Sequence, residues 1–297
     1  RPRCRPATRP DRVPDSTQFT TERRERASVA GLTNIRSDRV KTVRALSRRS
    51  MRERTGLFLA EGPQSVREAV THRPETVRDL YVTQEAAARH TDILAAAREA
   101  ALTVHRCSDE VLASMCDTDA PQGLLAVCRV VATSLAQVLA GRPRLLIVLS
   151  QVRDPGNAGT VLRGADAFGA DAVIVTASSV DIHAPKVVRS TAGSMFHVPV
   201  VTGMAIEDVL RHLREARIRT LAADGAGTTT LTEVDLAGPH AWVMGNEAWG
   251  LPEPVREECD EVVRVPIHGL AESLNLVIRQ VIPMTDTEAH ALERLKT

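Results

Sequence analysis

Aromatic residues are scarce: 4 Phe, 2 Trp and 1 Tyr among 297 positions. So few rings argue against the stacking platforms on which single-strand binders seat successive bases, so any nucleic-acid contact must rest on arginines and backbone. No apolar run approaches the roughly 18 residues that a bilayer span needs, and the opening stretch "RPRCRPATRPDRVPDS" lacks the apolar segment of a secretory signal. A cytoplasmic protein with no membrane partner is therefore expected. Cysteines number only 5, scattered and without a CxxC pair. That count excludes a disulfide framework and reads as reduced, mostly buried thiols. The 9 histidines form no HExxH motif and no close cluster along the chain, so no metal is expected. A P-loop and a GxSxG elbow are also missing; "GAGTTT" at 225–230 has neither the lysine nor the spacing of a phosphate cradle.

What is present begins with charge. The net charge of +1 conceals a polarised chain: residues 1–58 hold 16 Lys+Arg against 6 Asp+Glu, or +10, leaving −9 for the remainder. A basic end of this kind suits a polyanion, and nucleic acid is the natural partner. Residues 1–35, rich in Pro, Arg, Thr and Ser without periodicity, read as a basic mobile arm. From 36 to 131, strands at "LFLA", "LYVT", "LTVHRC" and "GLLAVCRV" alternate with helices, beginning with one that repeats Val40, Val43 and Leu46. This is the pattern of a small α/β domain. A linker is expected at 132–143.

The second domain, 144–283, alternates again through "RLLIVLSQV", "DAVIVT", "HVPVV", "RTLAA", "AWVMG" and "EVVRVPI". Continuous apolar strands separated by helices imply a parallel sheet covered on both faces. Ligands of such sheets sit beyond the carboxyl ends of the strands. Three strand-ending loops there carry chemistry. "VRDPGNAGTVLRGADAFGA" turns at Pro155 and Gly156, with Asn157 as cap or first-turn residue and Arg163 off the stripe of Val161, Ala165 and Phe168. "MGNEAWGL" places Gly245, Asn246 and Glu247 directly after a strand. "VPIHGLAESLN" gathers Glu272, Ser273 and Asn275 at the start of a terminal helix. Each loop alone has a plain structural explanation in turns and caps. All three together do not.

Taken in order, "LSQVRDPGNAGTVLRGADAFGADAVIV", "VMGNEAWGL" and "VRVPIHGLAESLN" resemble the three motifs of the SpoU family of RNA ribose methyltransferases, of the SPOUT superfamily. The resemblance covers about 36–280. It implies an α/β fold with a C-terminal trefoil-knotted SPOUT domain on a parallel sheet, an exception to the rule against knots, and a small N-terminal α/β domain that binds RNA. It implies S-adenosylmethionine as cofactor, held chiefly by main-chain groups at Gly245, Val265 and Leu274. Asn157 and Arg163 match the catalytic pair, and Glu247, Ser273 and Asn275 match the polar residues that support them. It also implies a homodimer, in which the helix after the first motif packs on the terminal helix.

A departure from the family follows "SLN". The stripe Leu274, Val277, Ile278, Val281 and Ile282 meets Pro283 after about two turns, and 284–297 form an atypical tail. The activity implied is 2′-O-ribose methylation of structured RNA, with ribosomal RNA favoured over transfer RNA because of the auxiliary domain. The alternative is a catalytically silent RNA-binding relative. A guanidinium does not give up a proton at neutral pH, so Arg163 is expected to stabilise developing alkoxide while substrate phosphate or water takes the proton. Arg48, Arg49, Arg52 and Arg54, in or beside the small domain, are expected to meet phosphates.

Overall fold

Five consecutive residues of the strand Leu57–Glu61 are buried, and their side chains divide between two apolar clusters: Phe58 and Ala60 enter one, Leu57 and Leu59 the other. That alternation is the two-residue period of a strand, and it means that both faces of the sheet are covered. In the computed structural model, residues 31–246 and 248–265 are described. The strands of the small domain are β1 (Leu57–Glu61), β2 (Val77–Val82), β3 (Val104–Arg106) and β4 (Leu124–Arg129), in the order β1-β4-β2-β3. The β1/β4 and β2/β4 pairs are antiparallel and β2/β3 is parallel. One face is covered by α1 (Asp38–Ala45), through Val40 and Val43. The other is covered by α3 (Pro63–His72), through Val66, Ala69 and Val70; α2 (Arg49–Thr55) leads into β1.

Residues 31–35 correct the expected extent of the arm. Leu32 N donates to Arg106 O at 2.8 Å, and Leu32 and Ile35 pack on the cluster beneath α1. Leu32 and Ile35 give this stretch apolar surface to bury. The stretch expected as a linker also contains structure. The helix Leu135–Ala140 is closed by a reciprocal Ser134–Gln137 capping box, and Leu135 is buried in the core of the second domain.

That domain is built on β5 (Leu145–Leu149), β6 (Ala172–Val175), β7 (Val200–Thr202), β8 (Arg219–Ala223), β9 (Thr229–Thr230), β10 (His240–Met244) and β11 (Glu261–Arg264). The order is β7-β6-β5-β10-β8-β11-β9, every pair parallel. Ile147, Leu149, Trp242 and Met244 face one core; Leu146, Val148, Ala241 and Val243 face the other. From β5 the chain moves to β6 and β7 on one side, whereas β8 and β11 lie on the other side of β10. The ends of β5 and β10 therefore form the crevice where such sheets take ligands. The α/β reading of both domains holds. The chain after Val265, where the threading of a knot would be decided, lies outside the described residues.

The two domains are joined by buried charge. Arg52, only 5% exposed, donates to Leu46 O and Ser47 O and pairs with Asp181 Oδ2 at 2.6 Å across the boundary. In the reverse sense, Arg189 of the large domain pairs with buried Glu61 at 2.5 Å. His183 packs on Phe58 in a tilted contact, with ring centroids 5.0 Å apart. Arg52 is thereby taken from the expected phosphate contacts, because its guanidinium is satisfied inside the protein.

Candidate functional site

The loop after β5 is shaped before it reaches its helix. Ser150 N donates to Met244 O at 2.8 Å, tying the end of β5 to β10. Gln151 then adopts φ 58, a left-handed conformation that a side chain with Cβ disfavours. What holds it is a bond from the second loop: Asn246 Nδ2 donates to Gln151 O at 2.9 Å. Asp154 caps the following helix, α8 (Pro155–Ala167), by accepting from Asn157 N at 2.8 Å, and Pro155 occupies the first helical position. Asn157 is thus a first-turn residue and Asp154 the cap. The Asp-Pro pair is the signal in the sequence that marks it.

Ala158, Val161, Leu162 and Ala165 form the buried stripe of α8, and Arg163 is exposed on the side away from it. Among the described residues Arg163 makes no hydrogen bond or ion pair. Gly159 is required by packing, since a Cβ there would overlap Ser190 on α9 (Pro185–Ser190). Six residues separate Asn157 from Arg163, about 9 Å along the axis and some 120° around it, so the two do not share one face of α8.

The second loop returns on itself. Asn246 N donates to Gly250 O at 2.8 Å and Gly250 N to Asn246 O at 3.0 Å, while Asn246 Oδ1 accepts from Ala248 N. A Cβ on Gly245 would overlap the Gly250 carbonyl, so the close approach that makes this position glycine is by the protein's own backbone. Gly250 has φ +71, and a Cβ there would press on Asp224. Asp224, buried at the end of β8, accepts from Leu251 N at 3.1 Å and Ala226 N at 3.0 Å and lies 3.4 Å from Arg256. It organises the second loop from an adjacent strand. A strand running into Asp-Gly was its only sign in the sequence. At the rim, the Arg153 guanidinium lies 5.3 Å from the centre of the Trp249 ring, which is 53% exposed.

Gly245 and Val265 follow β10 and β11, which flank β8, so the strand order puts both at one sheet edge, about 10 Å apart by strand spacing. Buried Ser150 Oγ has no hydrogen-bond partner among the described residues, at the β5 end of the same edge. A buried hydroxyl without a partner is a polar group left for a ligand or water to satisfy. Glu247, Leu274, Ser273 and Asn275 lie outside the described residues. Further along the edge, a cleft of about 330 Å³ opens between the domains, lined by Arg49, Thr176, Asp181, His183 and Gly203. Burial holds the His183 imidazole below its ordinary pKa, partly offset by Asp181. The thiols are muted: burial pushes Cys107 up to about 11 and Cys128 and Cys259 up to about 12. Histidines distant in sequence do converge in space, where Glu68, His72 and His197 meet between the domains. Sequence spacing could not show this, because His197 belongs to the other domain.

Residues 144–282 match the SpoU rRNA Methylase family, and residues 37–126 match the MRM3-like substrate binding domain. The chain is 33% identical over 217 residues to the 23S rRNA (guanosine-2′-O-)-methyltransferase RlmB of Bordetella pertussis, covering 71% of this chain and 88% of that protein. It is 28% identical over 249 residues to the 23S rRNA (guanosine(2553)-2′-O)-methyltransferase RlmP of Bacillus subtilis, covering 84% and 95%. The fold matches the crystal structure of the SpoU methyltransferase AviRb from Streptomyces viridochromogenes in complex with AdoMet at a TM-score of 0.76 and 27% identity, over 86% of this chain and 99% of that one. The chain belongs to the SpoU rRNA methylase family.

Proposed function

We propose that this protein transfers a methyl group from S-adenosylmethionine to a ribose 2′-hydroxyl of 23S ribosomal RNA. The observation that carries this reading is the match of both domains, in order, to relatives that methylate 23S rRNA at that position. S-adenosylmethionine supplies an electrophilic methyl group on a sulfonium. Main-chain groups at Gly245, Val265 and Leu274 hold it, and of these Gly245 and Val265 lie at the sheet edge on either side of β8. In-line displacement makes alignment of the hydroxyl the main task. Arg163, exposed and unpaired among the described residues, is free to meet the ribose and its phosphate and to stabilise the alkoxide as it develops. Asn157, Glu247, Ser273 and Asn275 orient the groups around it, and the proton leaves to substrate phosphate or water.

The active form is a homodimer in which a second copy approaches the face of α8 that carries Arg163, and it works in the cytoplasm. No helix among the described residues is long and apolar enough to cross a membrane. Nucleoside mass spectrometry of 23S rRNA from cells with and without the protein should show one 2′-O-methyl nucleotide gained, and the purified active species should sediment as a dimer. Arg163→Ala should lower turnover by about 10²–10³-fold while calorimetry shows S-adenosylmethionine affinity unchanged. Near-normal turnover in this variant would remove Arg163 from the mechanism.

A further inference from the structure

Glu68 and His72 stand one turn apart on α3 of the small domain, and His197 meets them from the large domain. Glu68 Oε2 lies 3.3 Å from His72 Nε2 and 3.2 Å from His197 Nε2, and the three atoms fall within 4.8 Å of one another. The other edge of His197 is fixed: its Nδ1 is 2.8 Å from Asp166 Oδ2. The other oxygen of Glu68 is fixed as well, accepting from Gln64 Nε2 at 2.8 Å. Gly193, at φ +101, lets the backbone close on Glu68, because a Cβ there would overlap the Glu68 side chain.

Two imidazole edges converge on a single oxygen of Glu68. When His197 donates from Nδ1 to Asp166, a neutral ring aims the lone pair of Nε2 at a carboxylate oxygen. His72 brings a second ring nitrogen to that same oxygen, with the two imidazoles edge-on at 4.5 Å between centroids. One carboxylate oxygen thus faces two ring nitrogens at once, the arrangement in which a cation among the three atoms is held by all of them. Tetrahedral zinc, with bonds of about 2.0–2.1 Å, sets its ligand atoms about 3.3–3.4 Å apart. The two separations to Glu68 are close to that. Two imidazoles and one carboxylate also suit zinc better than calcium or magnesium, which take oxygen ligands.

We propose that Glu68, His72 and His197 bind a divalent transition-metal ion of the zinc type, with water in the fourth position. Asp166 is a positioning residue that sets the His197 tautomer, as carboxylates behind metal-bound histidines do. Its place gives the site a purpose. Asp166 lies three residues after Arg163 on α8, so the ion fastens the helix bearing Arg163 to α3 of the small domain. The role is structural, independent of methyl transfer.

The test uses the full-length protein, stripped with a chelator and titrated with zinc in competition with a chromophoric chelator at neutral pH. One equivalent per chain should bind, thermal unfolding should shift upward, and cobalt in place of zinc should give the visible bands of tetrahedral coordination. His72→Gln and His197→Gln should each weaken binding by more than about tenfold, and Asp166→Asn by about tenfold. His72 is half exposed, so its substitution leaves the fold intact and decides the matter if the His197 variant does not fold. No zinc binding, or zinc binding that His72→Gln leaves unchanged, would overturn the site. So would a thermal midpoint that mild acid raises and zinc does not, which would mark a protonated histidine clamp instead.

Discussion

A Cβ at position 245 would enter the space of the Gly250 carbonyl and the Leu251 amide, and that backbone is held in turn by Asp224. Gly245→Ala must therefore open a loop that has little freedom to yield. Its cost should be about 1–3 kcal/mol, the usual range for overpacking, with at least a tenfold loss of S-adenosylmethionine affinity. Urea denaturation and calorimetry read the two effects, and unchanged values for both would show that the loop is softer than its hydrogen bonds imply. His183 makes a different kind of prediction. Burial between the domains depresses its pKa. As pH falls through about 6.5 the unfolded chain takes up a proton, while the folded protein does so only at lower pH. Over that interval the unfolded state holds more protons, so stability falls with acidification and is fully present above about 6.5. His183→Gln should flatten the dependence of thermal midpoint on pH in that window. A curve parallel to that of the unsubstituted protein would assign the loss to other groups.

Strands and helices join the two domains through ion pairs of opposite polarity, Arg52 to Asp181 and Arg189 to Glu61. Removing one partner of a buried pair strands the other charge, typically at 3–5 kcal/mol. Asp181→Ala should cost about 3 kcal/mol on that basis, and Arg52→Met added to it should recover part of the loss, because no unpaired charge then remains. A double variant less stable than the single would mean that Arg52 contributes mainly through its bonds to Leu46 and Ser47. These pairs were not legible in the sequence, where Arg52 is one arginine of a basic run. The parallel strands were legible because burial on both faces leaves an unbroken apolar signature, as in "LLIVL" and "AVIV". Short helices such as Gln84–Arg89 and Asp109–Met115 were not, since six or seven residues carry too little stripe and rest on the Thr83 and Ser108 caps and on tertiary packing. The site divides in the same way. Turn residues marked the loops after β5 and β10, but the Asn246–Gln151 bond and the reach of Asp224 depend on strand order, which no local pattern encodes.

For the molecule as a whole, the question is where RNA is anchored. Of the +10 in residues 1–58, residues 31–58 supply 8 Lys+Arg against 2 Asp+Glu, or +6, and residues 1–30 supply 8 against 4, or +4. The larger share therefore belongs to the folded small domain, where charges are held in fixed positions. Arg52 is internal and does not count toward a phosphate surface. Arg49 is exposed beside Glu53, Arg54 is exposed against Met51, and Arg48 precedes α2 without an ion pair among the described residues. Removing one arginine that neutralises a phosphate should reduce the slope of log affinity against log salt by about 0.7–0.9. Replacing Arg48, Arg49 and Arg54 together by Gln should thus lower the slope on a 23S rRNA fragment by up to about 2–3 units, and more than deletion of residues 1–30 does. Arg52→Gln should leave the slope unchanged while lowering stability, which separates a structural arginine from its neighbours. The measurement is filter or fluorescence binding across a salt series. A deletion effect exceeding that of the triple variant would place the main anchor in residues 1–30 and leave the small domain to orient the RNA over the sheet edge.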